Sequence, residues 1–188
     1  MKSKYKIVAL FGKSGAGKDT IQKWIVSNIP NVKGIISHTT RPPRDYETDG
    51  VDYHFVSNEE FTTKVMNGDM LEATSFRDWF YGTAIQSLDI DKVNVGVFNI
   101  DGINCLLEDP RLIVRPIHIY ATDKERLLRS LNREQSPDCT EICRRFLADK
   151  ADFEKVDFLH GYYYNKDGAE IDKEYWETYT DIDLDEEE

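Results

Sequence analysis

The chain has 188 residues, of which 40% are hydrophobic, and a formal net charge of −11 at pH 7. This length favours one domain with its own core, and the negative charge argues against a nucleic-acid polymer as partner, because binding a phosphate backbone requires a basic surface. The sequence has no run of about 18 apolar residues, so we expect no membrane span.

The first predicted elements are a buried strand, a glycine-rich loop and a helix. The apolar run predicts a strand over residues 6–11, and the helix is predicted over 18–28. Glycines between them let successive backbone N–H groups point at an anion, and the helix N-terminus adds positive charge. The sequence therefore predicts a phosphate-binding loop that consists of Gly12, Lys13, Ser14, Gly15, Ala16, Gly17, Lys18, Asp19 and Thr20.

Asp19 departs from the usual pattern of such loops, which places Ser or Thr after the lysine to give a hydroxyl to Mg²⁺. A carboxylate can hold Mg²⁺ directly or through water, so we interpret Asp19 as a substitute metal ligand. The alternative is a damaged site in which Thr20 takes over. Lys18 is expected to reach the β- and γ-phosphates as a mobile point charge.

Strands and helices alternate along most of the remaining chain. Further strands are predicted over residues 33–37, 93–100, 112–120 and 158–165, and further helices over 102–108, 123–132 and 141–153. This alternation predicts an α/β fold with a parallel sheet covered by helices on both faces. Thr122 and Glu125 form a capping box at one helix start.

The stretch from about residue 37 to residue 88 interrupts the alternation. It contains short aromatic strands, over 53–56 and 70–76, around a helix capped by Ser57 and Glu60. We therefore predict a small subdomain inserted into the α/β core.

The ends of the chain and its cysteines bear on where the protein works. Residues 181–188 carry six acidic and no basic side chains, so we expect a solvated, disordered tail. The first four residues show no secretory pattern. Three cysteines are too few for a disulfide framework, so we expect a cytoplasmic protein.

A second candidate site follows the predicted strand at 33–37. Arg41 and Arg44 stand three residues apart in a proline-stiffened loop, which suits one phosphate dianion because planar guanidinium groups bind phosphate bidentately. Tyr53 and Tyr81 can offer phenolic donors to the same phosphate. The alternative for each residue taken singly is an exposed arginine or a core tyrosine that binds no ligand.

Glu72 is a lone carboxylate in a strand whose other residues are apolar or small. A carboxylate that accepts two N–H bonds can select the guanine edge, which offers N1–H and an exocyclic amine. Ser37 and Thr83 could address the O6 acceptor and neighbouring ring atoms. The alternative for Glu72 is a solvated surface residue.

Together these motifs resemble those of the guanylate kinase family. The likeness covers about residues 5–165 and is carried by Ser-His-Thr-Thr-Arg-Pro-Pro-Arg from Ser37, Asp-Gly-Val-Asp-Tyr-His-Phe from Asp49, Leu-Glu at 71–72 and Tyr-Gly-Thr at 81–83. The resemblance implies transfer of the γ-phosphoryl group of ATP to GMP or dGMP, with Mg²⁺ as cofactor.

The resemblance also implies a domain plan and roles for single residues. A kinase domain would span residues 1–180, with a GMP-binding subdomain at about 37–88 and a helical lid at about 129–147. GMP would be bound by Ser37, Arg41, Arg44, Tyr53, Glu72, Tyr81, Thr83 and Asp101. ATP would be bound by the glycine-rich loop and Asn165, with Asp19 on Mg²⁺. The charge of the transferring phosphoryl group would be neutralised by Lys18, Arg41, Arg133 and Arg145. A further lid position of the family falls on either Arg129 or Ser130.

Asn99 stands where the family usually has an aspartate. It loses a charge close to the metal, and we hypothesise that Asp19 supplies that charge. Three alternatives stay open: a non-catalytic binding module, which the retained Lys18 argues against, a kinase for another nucleoside monophosphate or deoxynucleotide, and a kinase for a ribose bisphosphate. Glu72 and Thr83 argue against the last.

Overall fold

The computed structural model describes residues 4–44, 47–76, 78–133, 135–153, 156 and 161–182. In chain order the strands are β1 (Tyr5–Phe11), β2 (Val32–Gly34), β3 (His38–Thr39), β4 (His54–Phe55), β5 (Met70–Phe76), β6 (Trp79–Ala84), β7 (Val93–Val97), β8 (Leu112–Tyr120) and β9 (Gly161–Tyr164). The α-helices are α1 (Lys18–Asn28), α2 (Asn58–Met66), α3 (Ile100–Glu108), α4 (Asp123–Asn132), α5 (Cys139–Asp152) and α6 (Lys173–Thr180). Within these described ranges, no helix has the length and apolarity to cross a membrane.

The core is a parallel sheet with strand order β2-β7-β1-β8-β9. Alternate side chains of β1 enter two different apolar layers, because successive strand residues point to opposite faces. Val8 and Leu10 pack in a cluster with α1 and α6, while Ile7 and Phe11 pack in a cluster with α3. The predicted α/β fold with helices on both faces is confirmed.

A second sheet, of order β4-β3-β6-β5, lies between β2 and β7 in the chain. Its strands β5 and β6 pair as an antiparallel hairpin, and β6 also pairs with β3. The helix α2 has the predicted capping box, in which Ser57 and Glu60 satisfy each other's backbone N–H groups, and its Phe61 ring stacks on Phe80 at 5.5 Å. The predicted capping box of Thr122 and Glu125 is likewise present.

Several predicted boundaries were wrong for identifiable reasons. The predicted strand over 93–100 ends at Val97, because Asn99 caps α3. The helix predicted to begin at residue 141 begins at Cys139, because the Asp138 side chain accepts a hydrogen bond from the Glu141 N–H. Of the strand predicted over 158–165, residues 161–164 form β9, while residues 158–160 lie outside the described residues.

The sequence interpretation missed β6 as a strand and α6 altogether. Trp176 of α6 is fully buried in the layer that also contains α1. The predicted acidic tail also begins too early, because Ile182 is 3% exposed and Arg115 donates to the Asp181 carbonyl oxygen at 2.8 Å. Residues 183–188 lie outside the described residues.

Candidate active site

The glycine-rich loop leaves the carboxyl end of β1, the central strand of the core sheet. Gly12 and Gly15 have φ angles of 152° and 77°. A Cβ atom at Gly12 would lie 2.2 Å from the carbonyl oxygen of Ile119, and one at Gly15 would lie 2.7 Å from that of Arg126. Conformation and space therefore both require glycine at these positions.

Lys18 lies against this loop, with Nζ donating to the carbonyl oxygens of Gly12 and Lys13 at 2.7 and 3.2 Å. Desolvation lowers the pKa of the ammonium group, and Arg126 and Arg133 lower it further, against the attraction of Asp19 and Asp149.

The first turn of α1 carries Asp19 and Thr20 exposed to solvent.

A carboxylate from α5 engages the same loop. The backbone N–H of Ser14 donates to Asp149 Oδ2 at 2.9 Å. The same carboxylate pairs with Arg126 of α4, whose side chain is 3% exposed and whose Nε donates to the Ser14 carbonyl oxygen at 2.8 Å. The Arg126 guanidinium also lies 4.3 Å from the Phe146 ring centroid. This ion pair therefore joins the loop to both helices.

Asp149→Ala is expected to lower the free energy of unfolding by about 3–5 kcal/mol, because the buried Arg126 guanidinium would keep only the exposed Asp123 carboxylate as an ion-pair partner. Removing both charges in Arg126→Leu/Asp149→Ala is expected to restore much of this loss. Denaturant unfolding measures both values, with the exposed Asp152→Ala on the same helix as control. A double variant that loses the sum of both single losses would contradict the pairing.

Asn165 and Arg129 also contact the loop. Asn165 Nδ2 and Arg129 Nη1 donate to the Ala16 carbonyl oxygen at 2.8 and 3.2 Å. Arg129 is also bound to Asp167, with Nη2 2.6 Å from its Oδ1. Arg129 thus supports the loop, and it does not line the cavity between loop and α5.

That cavity, of about 90 Å³, brings together the loop and three of the predicted arginines. Its walls include Ser14, Gly15, Arg44, Arg133 and Arg145. Burial lowers the pKa of Arg145, and the neighbouring Arg44 and Arg133 lower it further. Glu141 also lines the cavity and accepts from Arg145 Nε at 2.7 Å, so an anion bound among the three guanidinium groups would replace Glu141 as the partner of Arg145.

Arg41 does not line this cavity, since it is 7% exposed and bound to Glu47. Its Nη2 donates to Glu47 Oε1 at 2.8 Å, and the backbone N–H of Arg44 donates to Oε2 at 2.9 Å. The Tyr53 ring lies 5.6 Å from the Arg41 guanidinium and 6.2 Å from the Tyr81 ring. The sequence interpretation missed Glu47, whose signal is an acidic residue three positions after Arg44.

The predicted guanine-reading residues also come together. Glu72 is 8% exposed and hydrogen-bonds to Thr83, its partner in the β5–β6 register. The Thr83 hydroxyl lies 3.1 Å from that of Ser37. Burial raises the pKa of Glu72 to about 7, against the hydrogen bonds from Thr83. Gly102 of α3 lies close to this carboxylate, since a Cβ atom at that position would be 3.3 Å from Glu72 Oε2. The preceding residue, Asp101, is exposed in the first turn of α3.

Asn99 caps α3 and links it to β5. Its Oδ1 accepts from the Gly102 N–H at 2.7 Å, and its Nδ2 donates to Thr74 Oγ1 at 3.0 Å. Both ends of the amide are therefore used in capping α3 and linking it to β5. The hypothesis that Asp19 supplies the charge that Asn99 lacks stays a prediction.

Among the residues that the structure describes, no group of three or more His, Cys, Asp or Glu side chains forms a metal centre. Mg²⁺ is commonly held by one or two carboxylates together with substrate phosphates. The exposed Asp19 carboxylate and Thr20 hydroxyl, next to the loop, fit that mode of binding.

Comparisons with known proteins bear on this site. The family model described as "Guanylate kinase" matches residues 4–179. The guanylate kinase of Helicobacter hepaticus is 36% identical over 144 residues, which cover 74% of this chain and 72% of that protein. That of Synechococcus elongatus is 37% identical over 148 residues, or 76% and 79%. The crystal structure of guanylate kinase from Anaplasma phagocytophilum shares the fold, with a TM-score of 0.61 at 21% identity over 88% of this chain and 79% of that one.

Proposed function

The chain belongs to the guanylate kinase family, and from this we propose that it transfers the γ-phosphoryl group of ATP to GMP, giving ADP and GDP. The observation that carries the proposal is the buried Glu72 carboxylate beside the hydroxyls of Ser37 and Thr83. A glycine-rich loop alone fits many nucleotide-binding proteins, whereas this cluster offers acceptors and donors that match a guanine edge.

We assign ATP to the loop of residues 12–20. The loop N–H groups and the start of α1 attract the phosphates, and Lys18 turns from the loop carbonyls toward the β- and γ-oxygens. Asn165 supports the loop through the Ala16 carbonyl oxygen. Asp19 and Thr20 would hold Mg²⁺, which neutralises phosphate charge when bound.

We assign the phosphate of GMP to Arg41, Arg44, Tyr53 and Tyr81. Glu47 holds the two arginines side by side through its two carboxylate oxygens. Burial raises the pKa of the Tyr53 phenol, which therefore keeps its proton and donates a hydrogen bond. The guanine ring is assigned to Glu72, Ser37 and Thr83, with Asp101 at the edge of the site.

Phosphoryl transfer requires no covalent step on the protein. It requires two phosphates in line, exclusion of water and neutralised equatorial oxygens. Arg133 and Arg145, in the lid proposed for residues 129–147, line the same cavity as Arg44 and the loop residue Ser14. Lid closure over both nucleotides would bring these guanidinium groups onto the transferring group and protect ATP from hydrolysis.

A finer part of the proposal concerns substrate range and location. We include dGMP as a substrate, because none of the assigned contacts reads the ribose 2′ position. We also propose a cytoplasmic protein that binds neither a nucleic-acid polymer nor a membrane, which the net charge of −11 supports.

An ADP-release assay with each nucleoside monophosphate tests the proposal. We expect turnover with GMP and dGMP and almost none with AMP, CMP or UMP. Equal turnover of AMP and GMP would contradict the assignment of Glu72. GMP binding without turnover would instead indicate a non-catalytic binding module.

Arg44→Ala is expected to raise KM for GMP by about 10- to 100-fold, because a charge-assisted hydrogen bond contributes about 1.5–3 kcal/mol. KM for ATP should change little. Arg44 is a cleaner test than Arg41, whose removal would strand the buried Glu47 carboxylate. Steady-state kinetics measures both constants, with the surface variant Arg111→Ala as control. An equal rise of KM for GMP and for ATP would show that the assignment of Arg44 to the GMP site is wrong.

A further inference from the structure

A second cavity, of about 350 Å³, lies behind the proposed guanine site. Successive residues of an extended chain point to opposite faces. Ser37, Tyr53 and Thr83 belong to the proposed GMP site, and each is followed directly by a residue that lines the second cavity. These residues are His38, His54 and Ala84. The two sites therefore lie on opposite faces of the same strands.

The cavity is also located at the junction of the two sheets. Lys33 comes from β2 of the core sheet, and Lys64 comes from α2 of the inserted segment. A molecule bound between them would contact both parts of the protein and affect their relative position.

The cavity is basic in a chain whose net charge is −11. Its described lining contains two lysines and two histidines but no carboxylate. Neither Lys33 nor Lys64 forms an ion pair with another described residue, whereas Lys23 on α1 pairs with Asp52 at 2.7 Å. Lys64 attracts the exposed Glu60 carboxylate one turn earlier on α2 without forming an ion pair with it. The two ammonium groups at the cavity therefore still attract anions and oppose the entry of a metal cation.

His38 lines this cavity and has a polar atom that is not used in the described structure. It is 7% exposed, and its Nδ1 atom is buried without a hydrogen-bond partner among the described residues. Its ring centroid lies 4.7 Å from that of His54. Burial lowers the pKa of His38 to about 4, with His54 and Lys64 lowering it further against Asp49. The imidazole is thus neutral at pH 7 and can donate one N–H.

We propose that this cavity binds a phosphate dianion, held by the ammonium groups of Lys33 and Lys64 and by a hydrogen bond from His38. The dianion is either free inorganic phosphate or the phosphate of a phosphomonoester. Because the same strands carry the proposed GMP ligands on their other face, occupancy of the cavity alters the affinity for GMP. This second statement rests on the proposed function, whereas the binding of phosphate does not.

Imidazole resonances of His38 and His54, followed by NMR in the full chain, test the binding. Inorganic phosphate and glycerol 2-phosphate are titrated separately, and a saturable shift with at least one of them is expected; the one that binds identifies the source. Lys33→Ala and Lys64→Ala should each weaken the apparent dissociation constant roughly tenfold or more. The exposed Lys124→Ala should not, and Arg44→Ala should keep the shift because that change affects only the substrate site.

Other outcomes overturn the proposal. No saturable shift, or an equal shift in Lys64→Ala, excludes the site. A shift caused by Zn²⁺ but not by phosphate would reassign the two histidines to a metal. Kinetics then tests the coupling separately: the ligand should change KM for GMP more in the wild type than in Lys64→Ala, in which only competition at the substrate site remains. An equal change of KM in the two proteins refutes the coupling and leaves the anion site standing.

Discussion

Lys18→Ala is expected to lower kcat for GMP phosphorylation by about 10²–10³-fold or more, because it removes a preorganised positive donor from the site where charge develops. The ammonium group is held 2.7 Å from the Gly12 carbonyl oxygen, at the start of the loop that would surround the phosphates. Single-turnover kinetics separates this loss from an effect on product release.

Lys13→Ala is the matched control for this change. Lys13 lies in the same loop and carries the same charge, but its Nζ lies over the Phe153 ring at 5.8 Å from the centroid. Its loss should reduce the rate far less. Equal losses in the two variants would show that the loop needs positive charge in general and that Lys18 has no particular role.

Glu72→Gln is expected to lower kcat/KM for GMP by about 5- to 150-fold, because an amide presents a donor to a guanine donor and leaves buried polar groups unpaired at a cost of about 1–3 kcal/mol. The low kcat/KM for AMP should not fall by the same factor. The ratio of the two specificity constants, measured in one assay, gives the result. Asp69→Asn is the charge-matched control, because the Asp69 carboxylate accepts a hydrogen bond from Gln86 and lies outside the cluster of Glu72, Ser37 and Thr83. A parallel fall of both constants would indicate a purely structural role.

The pH dependence gives an independent check on Glu72. Its pKa in the free protein is raised to about 7 by burial, so the acid form, which cannot accept two N–H bonds, gains population below that pH. KM for GMP should therefore rise as the pH falls through about 7, and Glu72→Gln should flatten this profile. The stability effect has the opposite sign: because the folded-state pKa exceeds the unfolded one, the wild type should lose stability relative to Glu72→Gln as pH rises toward 7.

Local signals in the sequence were sufficient to predict the glycine-rich loop and the core sheet. The glycines after β1, the apolar run of the strand and the Thr122–Glu125 capping box all act over a few residues, and the structure contains each of them. The α6 helix was missed because its apolar content is mixed with charged residues, and the burial of Trp176 depends on a layer assembled from distant parts of the chain.

The residues of the candidate site were also predictable only where the signal is local in the sequence. The arginine, tyrosine and glutamate motifs could be located by spacing, but the contact between Glu72 and Thr83 depends on the hairpin register. Neither Arg126 nor Asp149 carried a signal, because charged residues in helices are ordinarily solvated and only tertiary packing buries this pair. Glu47 was missed because its partners became evident only once the loop was folded.

The order of pairing in the core sheet has a consequence for how the chain acquires its structure. Lys6 of β1 pairs with Val93 and Tyr5 pairs with Leu112, so the central strand has no sheet partner until about half of the chain has been synthesised. The β5–β6 hairpin closes locally, as Phe76 pairs with Trp79. Because loop-closure entropy delays distant contacts, we expect the hairpin that carries Glu72 and Thr83 to form before β1 and its loop. Pulsed hydrogen exchange during refolding should show the β6 amides protected ahead of those of β1, so the acceptor half of the site would be built before the donor half.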